Sequence, residues 1–157
     1  MKKLRENIFE TNSSSTHSLV MNTMKSEDYV PYGDTLKIRF FDEEENCATL
    51  TDKVSYLVSH IISWYKWDAE DYEDLIRQVK EDWQFRKIES YVQEHYNKRI
   101  VFPEKYDGDL EDIVDINHQL QSWDHSLDEI LEGIVNRNRD YLGEVLAPNQ
   151  TIVFGRD

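Results

Sequence analysis

Between Thr49 and Asn97 the chain carries neither proline nor glycine, and this uninterrupted stretch limits what it can form more than any other feature. Nothing in it breaks a helix, and apolar residues recur at three- and four-residue intervals, so it predicts a helical block. Val54, Leu57, Val58, Ile61, Ile62 and Tyr65 make one broad apolar stripe. Thr49 with Asp52 three residues on resembles a capping pair, with Asp in place of the usual Glu. Asp68 is the expected N-cap of the next helix, and Glu70, Asp71, Glu73 and Asp74 follow where a helix N-terminus favours acids. Tyr72, Leu75, Ile76, Val79 and Trp83 are its expected inner face. Ile88, Tyr91, Val92 and Tyr96 continue the pattern, in the same helix after a bend or in a second one.

Strand signals flank this block. From Thr35 the sequence TLKIRFF alternates, with Leu36, Ile38 and Phe40 on one face and Lys37 and Arg39 on the other. Leu19 to Met21 is a brief apolar run, and Arg99 to Phe102 is a short strand stopped by Pro103. Ile113, Val114 and Ile116 suggest another strand, and Thr151 to Phe154 a last one. Ser126 and Glu129 have capping-box spacing ahead of Leu127, Ile130, Leu131, Ile134 and Val135. The expectation is one α+β domain over residues 1–157, with a small mixed sheet, a central helical block at about 49–97 and a further C-terminal helix.

Charge narrows the function classes. The 157 residues hold 32 Asp and Glu against 18 Lys and Arg, a formal charge of −14. Such a chain is ill suited to direct binding of nucleic-acid phosphates, which calls for a surplus of Lys and Arg. One cysteine, Cys47, excludes an internal disulfide and a multi-cysteine zinc site. No apolar run is long enough to span a bilayer, and the opening MKKLRENIFE lacks a secretory apolar region, so a cytoplasmic setting without membrane attachment is expected. Walker-type and dinucleotide-binding glycine motifs are missing from the sequence, and no cofactor is expected.

The most unusual local sequence is Glu10 to Ser18, in which six of nine residues are Ser or Thr. Such side chains compete for backbone hydrogen bonds and favour a solvated turn between strands. The same segment also suits a pocket wall, with Thr11, Asn12, Ser13 and Ser15 cradling an anion or polar ligand and His118 and Gln119 completing it. In a third reading Ser14 is a nucleophile activated by His17 and oriented by Glu10. His17 and His118, with Asp115, Asp124 or His125, are a weak alternative metal set, and no metal site is assigned. His60 and His95 fall in the helical block and are expected to be structural, partly buried or at the surface.

Acids are also clustered. Between Glu104 and Glu132 ten carboxylates face one base, Lys105, and Asp107, Asp109, Glu111, Asp112, Asp128, Glu129 and Glu132 are the candidate partner-binding set. Dispersed, they form a solvated face that keeps the chain soluble; gathered on one side, they build a field that steers a basic partner. Trp64, Trp67, Trp83 and Trp123 would anchor such a partner where they are exposed.

The segment NIFETNSSSTHSLV resembles the N-terminal signature of an uncharacterised group of small proteins in Gram-positive bacteria and their phages. Ile116 to Gln119 and the closing TIVFGRD are similar to that group's downstream pattern. The resemblance implies a phage or mobile-element setting and assigns no catalytic residue. Together with the charge it favours a non-enzymatic inhibitor, nucleic-acid-mimicking or anti-defence in character, that docks an acidic surface on a basic host protein. The other reading is a small enzyme or polar-ligand-binding protein with its pocket at Glu10 to Ser18. Neither fixes an oligomeric state.

Overall fold

The computed structural model describes residues 3–4, 15–21, 26–40, 47–114 and 141–156. Element order is β1 (Lys3–Leu4), β2 (Ser15–Met21), α1 (Ser26–Tyr29), β3 (Thr35–Lys37), α2 (Leu50–Tyr65), α3 (Tyr72–Glu81), α4 (Trp83–Tyr96), β4 (Arg99–Val101), α5 (Tyr141–Val145) and β5 (Gln150–Arg156). The class is α+β, and the helical block lies where the absence of Pro and Gly puts it. Both parallel and antiparallel pairing occur, divided between two sheets. One is antiparallel, ordered β1-β2-β5, with Leu4 opposite Leu19 and His17 opposite Phe154. The other pairs β3 with β4 in parallel, Leu36 opposite Ile100. A parallel pair needs a long crossover, and α2, α3 and α4 are that crossover.

Helix α2 begins where expected, the Thr49 hydroxyl accepting from the Asp52 N–H at 3.1 Å. The Asp52 carboxylate takes a hydrogen bond from Arg39 at 3.4 Å. The helix is buried well beyond its apolar stripe: every residue from Lys53 to Ser63 is buried, and the sequence reading of His60 as partly buried or at the surface is corrected. Serines make this possible, because a small hydroxyl leaves room for a neighbour and finds a backbone partner nearby. Ser63 donates to the His60 carbonyl at 2.6 Å, and Ser55 accepts from the Arg39 N–H at 3.0 Å.

The next helix starts at Tyr72 with Asp71 as its N-cap, in place of Asp68. The Asp68 N–H is already bonded to the Tyr65 carbonyl at 3.1 Å, in the turn that closes α2. Leu75 and Val79 are buried as expected, but Trp83 belongs to the start of α4 and is 49% exposed. Asp82 separates the two helices, its carboxylate accepting from the Gln84 and Phe85 N–H groups at 2.8 and 3.2 Å and from the Tyr65 hydroxyl at 2.6 Å. Asn97 ends α4 in the left-handed region, φ 54°, a position that asparagine tolerates.

Ile113 and Val114 are buried but form no strand. They follow a 3₁₀ turn at Leu110–Asp112, and the Ile113 N–H bonds back to the Leu110 carbonyl at 3.2 Å. Ile116 and the helix expected from Ser126 lie outside the described residues. One apolar cluster joins Tyr29, β3, the three long helices, β4, Ile113, Val114 and α5. Among the described residues no helix is long and apolar enough to cross a membrane.

Candidate functional site

The acids the sequence singles out at 104–112 sit on a loop fixed from beneath. Tyr106 packs edge-on against Phe40, ring centroids 5.8 Å apart, and Phe40 meets Tyr72 in the same way at 5.9 Å. The Tyr72 hydroxyl donates to the Pro103 carbonyl at 2.5 Å, and burial pushes its pKa up to about 12. Gly108 folds directly over the Tyr106 ring, where an added Cβ would come within 2.6 Å of the hydroxyl oxygen. Leu110 packs on the core, and Asp107, Asp109, Glu111 and Asp112 are left exposed.

Lys66 ties this loop to the end of α2. Its amine donates to the Glu111 carbonyl at 2.6 Å and the Val114 carbonyl at 3.3 Å. The same amine lies 5.0 Å from the ring centroid of Trp67, which is 65% exposed. Lys66, Trp67, Ala69, Glu70, Asp109, Leu110 and Glu111 enclose a groove of about 430 Å³. Two acidic clusters far apart in sequence therefore meet around one exposed indole. Glu70 comes from the connection before α3, and Asp109 and Glu111 come from the loop before the 3₁₀ turn and from the turn itself.

The acids just beyond Glu70 are partly committed to α3. Asp74 accepts from the Glu70 N–H at 3.0 Å and from Arg77, and these bonds hold its carboxyl below the usual carboxylate range, the Glu70 bond first. Arg77 also reaches Glu81 at 3.5 Å. Glu70, Asp109 and Glu111 are thus the carboxylates that line the Trp67 groove, and its one cation, Lys66, bonds main-chain carbonyls. The arrangement suits contact with a cationic surface: carboxylates gathered beside an exposed indole ring, over which the chain's own Lys66 amine already lies.

Other candidate residues fall elsewhere. Ser15, Thr16, His17 and Ser18 lie within β2, so the polar segment expected as a turn is strand from Ser15 onward. Glu10, Thr11, Asn12, Ser13, Ser14, His118 and Gln119 lie outside the described residues, as do Asp128, Glu129, Glu132 and Trp123. Among the described residues there is no group of three or more His, Cys, Asp or Glu side chains placed to hold a metal ion. Trp64 is half-buried against the core, and His95 is exposed and stacked on Tyr91 at 3.9 Å. Sequence reasoning missed Lys66; the signal for it was its place beside Trp67, just past the end of the apolar stripe. No protein-family model matches the chain, and neither a curated protein nor a solved structure does.

Proposed function

We propose that the chain is an acidic protein-interaction module that docks the Trp67 groove on a basic surface of another protein. The observation that carries this reading is the meeting of Glu70, Asp109 and Glu111 around an indole that is 65% exposed. A buried aromatic anchor ringed by complementary charge is how a small interface concentrates its binding free energy. The overall charge of −14 speeds encounter with a cationic partner. The N-terminal resemblance to a phage-associated group extends the reading to an inhibitor from a phage or mobile element, acting on a host nucleic-acid-binding or defence protein in the host cytoplasm. Such a partner presents a cationic groove, and the acids here would occupy it in place of phosphates.

The test is affinity capture from a Gram-positive host lysate with the wild-type chain and with Asp109→Asn/Glu111→Gln and Trp67→Ala variants. The expected result is a basic protein retained by the wild type, weakened by either variant, and blocked from binding nucleic acid while it is held. Retention that is indifferent to both variants, or a captured protein that still binds nucleic acid freely, contradicts the proposal.

A further inference from the structure

A second groove, of about 820 Å³, runs between α3 and β4, and it differs in character from the rest of this acidic chain. Arg99, Ile100 and Val101, the whole of β4, line it, and so do Phe102, Pro103 and Glu104 just after the strand. A groove lying on a strand's face meets alternate residues, because side chains alternate, so consecutive lining marks a groove running along a strand's edge. The ladder geometry agrees. The Arg99 N–H donates to the Asp34 carbonyl at 2.9 Å and the Val101 carbonyl accepts from the Ile38 N–H at 3.0 Å, so both residues turn their main-chain groups toward β3. In a parallel ladder the residue between them turns its N–H and C=O the other way. For Ile100 that is away from β3 and toward the groove.

From these observations we infer that the outer edge of β4 binds an extended acidic peptide as an added strand. Among the described residues no other strand pairs with that edge; an open edge is a template for another chain, and main-chain pairing supplies affinity while alternate side chains supply selectivity. The selectivity here comes from the walls. Ile76, Ile100 and Phe102 give the groove an apolar side, and Arg77, Lys80, Arg86 and Arg99 bring four cations to it against Glu73, Glu81 and Glu104. Arg77 is engaged by Asp74 and Glu81, and Lys80 lies over the Phe102 ring at 5.7 Å. Arg86 spends only its Nε, at 3.4 Å, on the Lys80 carbonyl. Arg86 and Arg99 are therefore the cations that select acidic side chains, and the bound strand alternates acidic with apolar residues. A nucleic acid fits less well: single-stranded bases need exposed rings to stack on, whereas here Phe102 is buried and the Tyr72 hydroxyl is bonded to Pro103.

The test uses end-capped fluorescent peptides of alternating Glu and Val, titrated into the full chain and followed by anisotropy. The Glu–Val peptide should bind, and its Lys–Val counterpart should bind at least about tenfold more weakly. N-methylation of the Glu–Val peptide at alternate residues should weaken it by about tenfold in one of the two registers, through loss of main-chain hydrogen bonds. Arg86→Glu/Arg99→Glu should weaken it comparably with an unchanged thermal midpoint, both side chains being exposed. The inference is overturned if the Glu–Val peptide does not bind, if N-methylation in both registers or the arginine variant has no effect, or if a thymidine oligonucleotide occupies this groove in its place.

Discussion

The Lys53 amine, with no exposed surface, donates a 2.8 Å hydrogen bond to the main-chain carbonyl of Ala147, joining the first turn of the central helix to the residues that follow α5. The amine also lies 4.9 Å from the centroid of the Tyr29 ring. Burial pulls its pKa down to about 7, and Cys47 acts weakly in the opposite sense. In the unfolded chain the same lysine holds its proton to about pH 10.4. Between these values the unfolded state binds more protons than the folded state, so stability rises with pH, and the cost of burial is fully present below pH 7. Burial raises the Tyr29 pKa far above its ordinary value, and that opposes the trend only above about pH 10. The urea midpoint should therefore climb from about pH 7 to about pH 9, and Lys53→Met should flatten the climb. An unchanged slope in the variant contradicts the assignment.

Two hydroxyls share the carbonyl next to that lysine contact. Tyr29 and Tyr96 donate to the Leu146 oxygen at 2.5 and 2.7 Å. Either phenylalanine substitution leaves the acceptor with a partner and should cost about 1 kcal/mol or less. The Tyr29→Phe/Tyr96→Phe double variant strands a buried carbonyl and should cost about 1 kcal/mol more than the sum of the singles. Denaturation of the four chains of this cycle gives the coupling directly, and strict additivity would show that the shared acceptor does not matter.

Asp82 caps α4 and holds α2 through Tyr65 at the same time. Asp82→Ala should destabilise by about 2 kcal/mol, whereas Asp82→Asn keeps a competent cap and should cost under about 1 kcal/mol. The Tyr65 pKa is pushed up to about 12, first by its hydrogen bond to Asp82, so it should fall toward 10 in either variant. Ultraviolet titration of the phenolates reads that shift independently of stability.

Much of this architecture was legible in the sequence where local and tertiary signals agree. The Thr49 cap, the alternation of Leu36 and Ile38, and the strand before Pro103 are each set by a few adjacent residues. The N-cap at residue 71 was not, because Asp68 and Asp71 offer the same chemistry, and only the folded chain shows that Asp68 falls in the turn closing α2 while the Asp71 carboxylate meets the Asp74 N–H. The burial of Lys53 and His60 was hidden because intervening serines read as a solvent face until tertiary packing surrounds them. Ile113 and Val114 look like strand by composition, but two adjacent apolar residues satisfy burial equally well after a 3₁₀ turn. Of the candidate site, the exposed acids at 107–112 were legible, while their meeting with Glu70 at Trp67 depends on how Lys66 ties the loop down.

Whether that meeting is the docking surface is decided by the salt dependence of affinity for the captured basic partner. Exposed charges are screened within about 10 Å at 0.1 M salt and about 3 Å at 1 M, so wild-type affinity should fall at least about tenfold across that range. The Asp109→Asn/Glu111→Gln variant should bind more weakly at low salt and show a shallower salt slope. An affinity independent of salt, or a variant with the wild-type slope, would contradict docking through the acidic Trp67 groove.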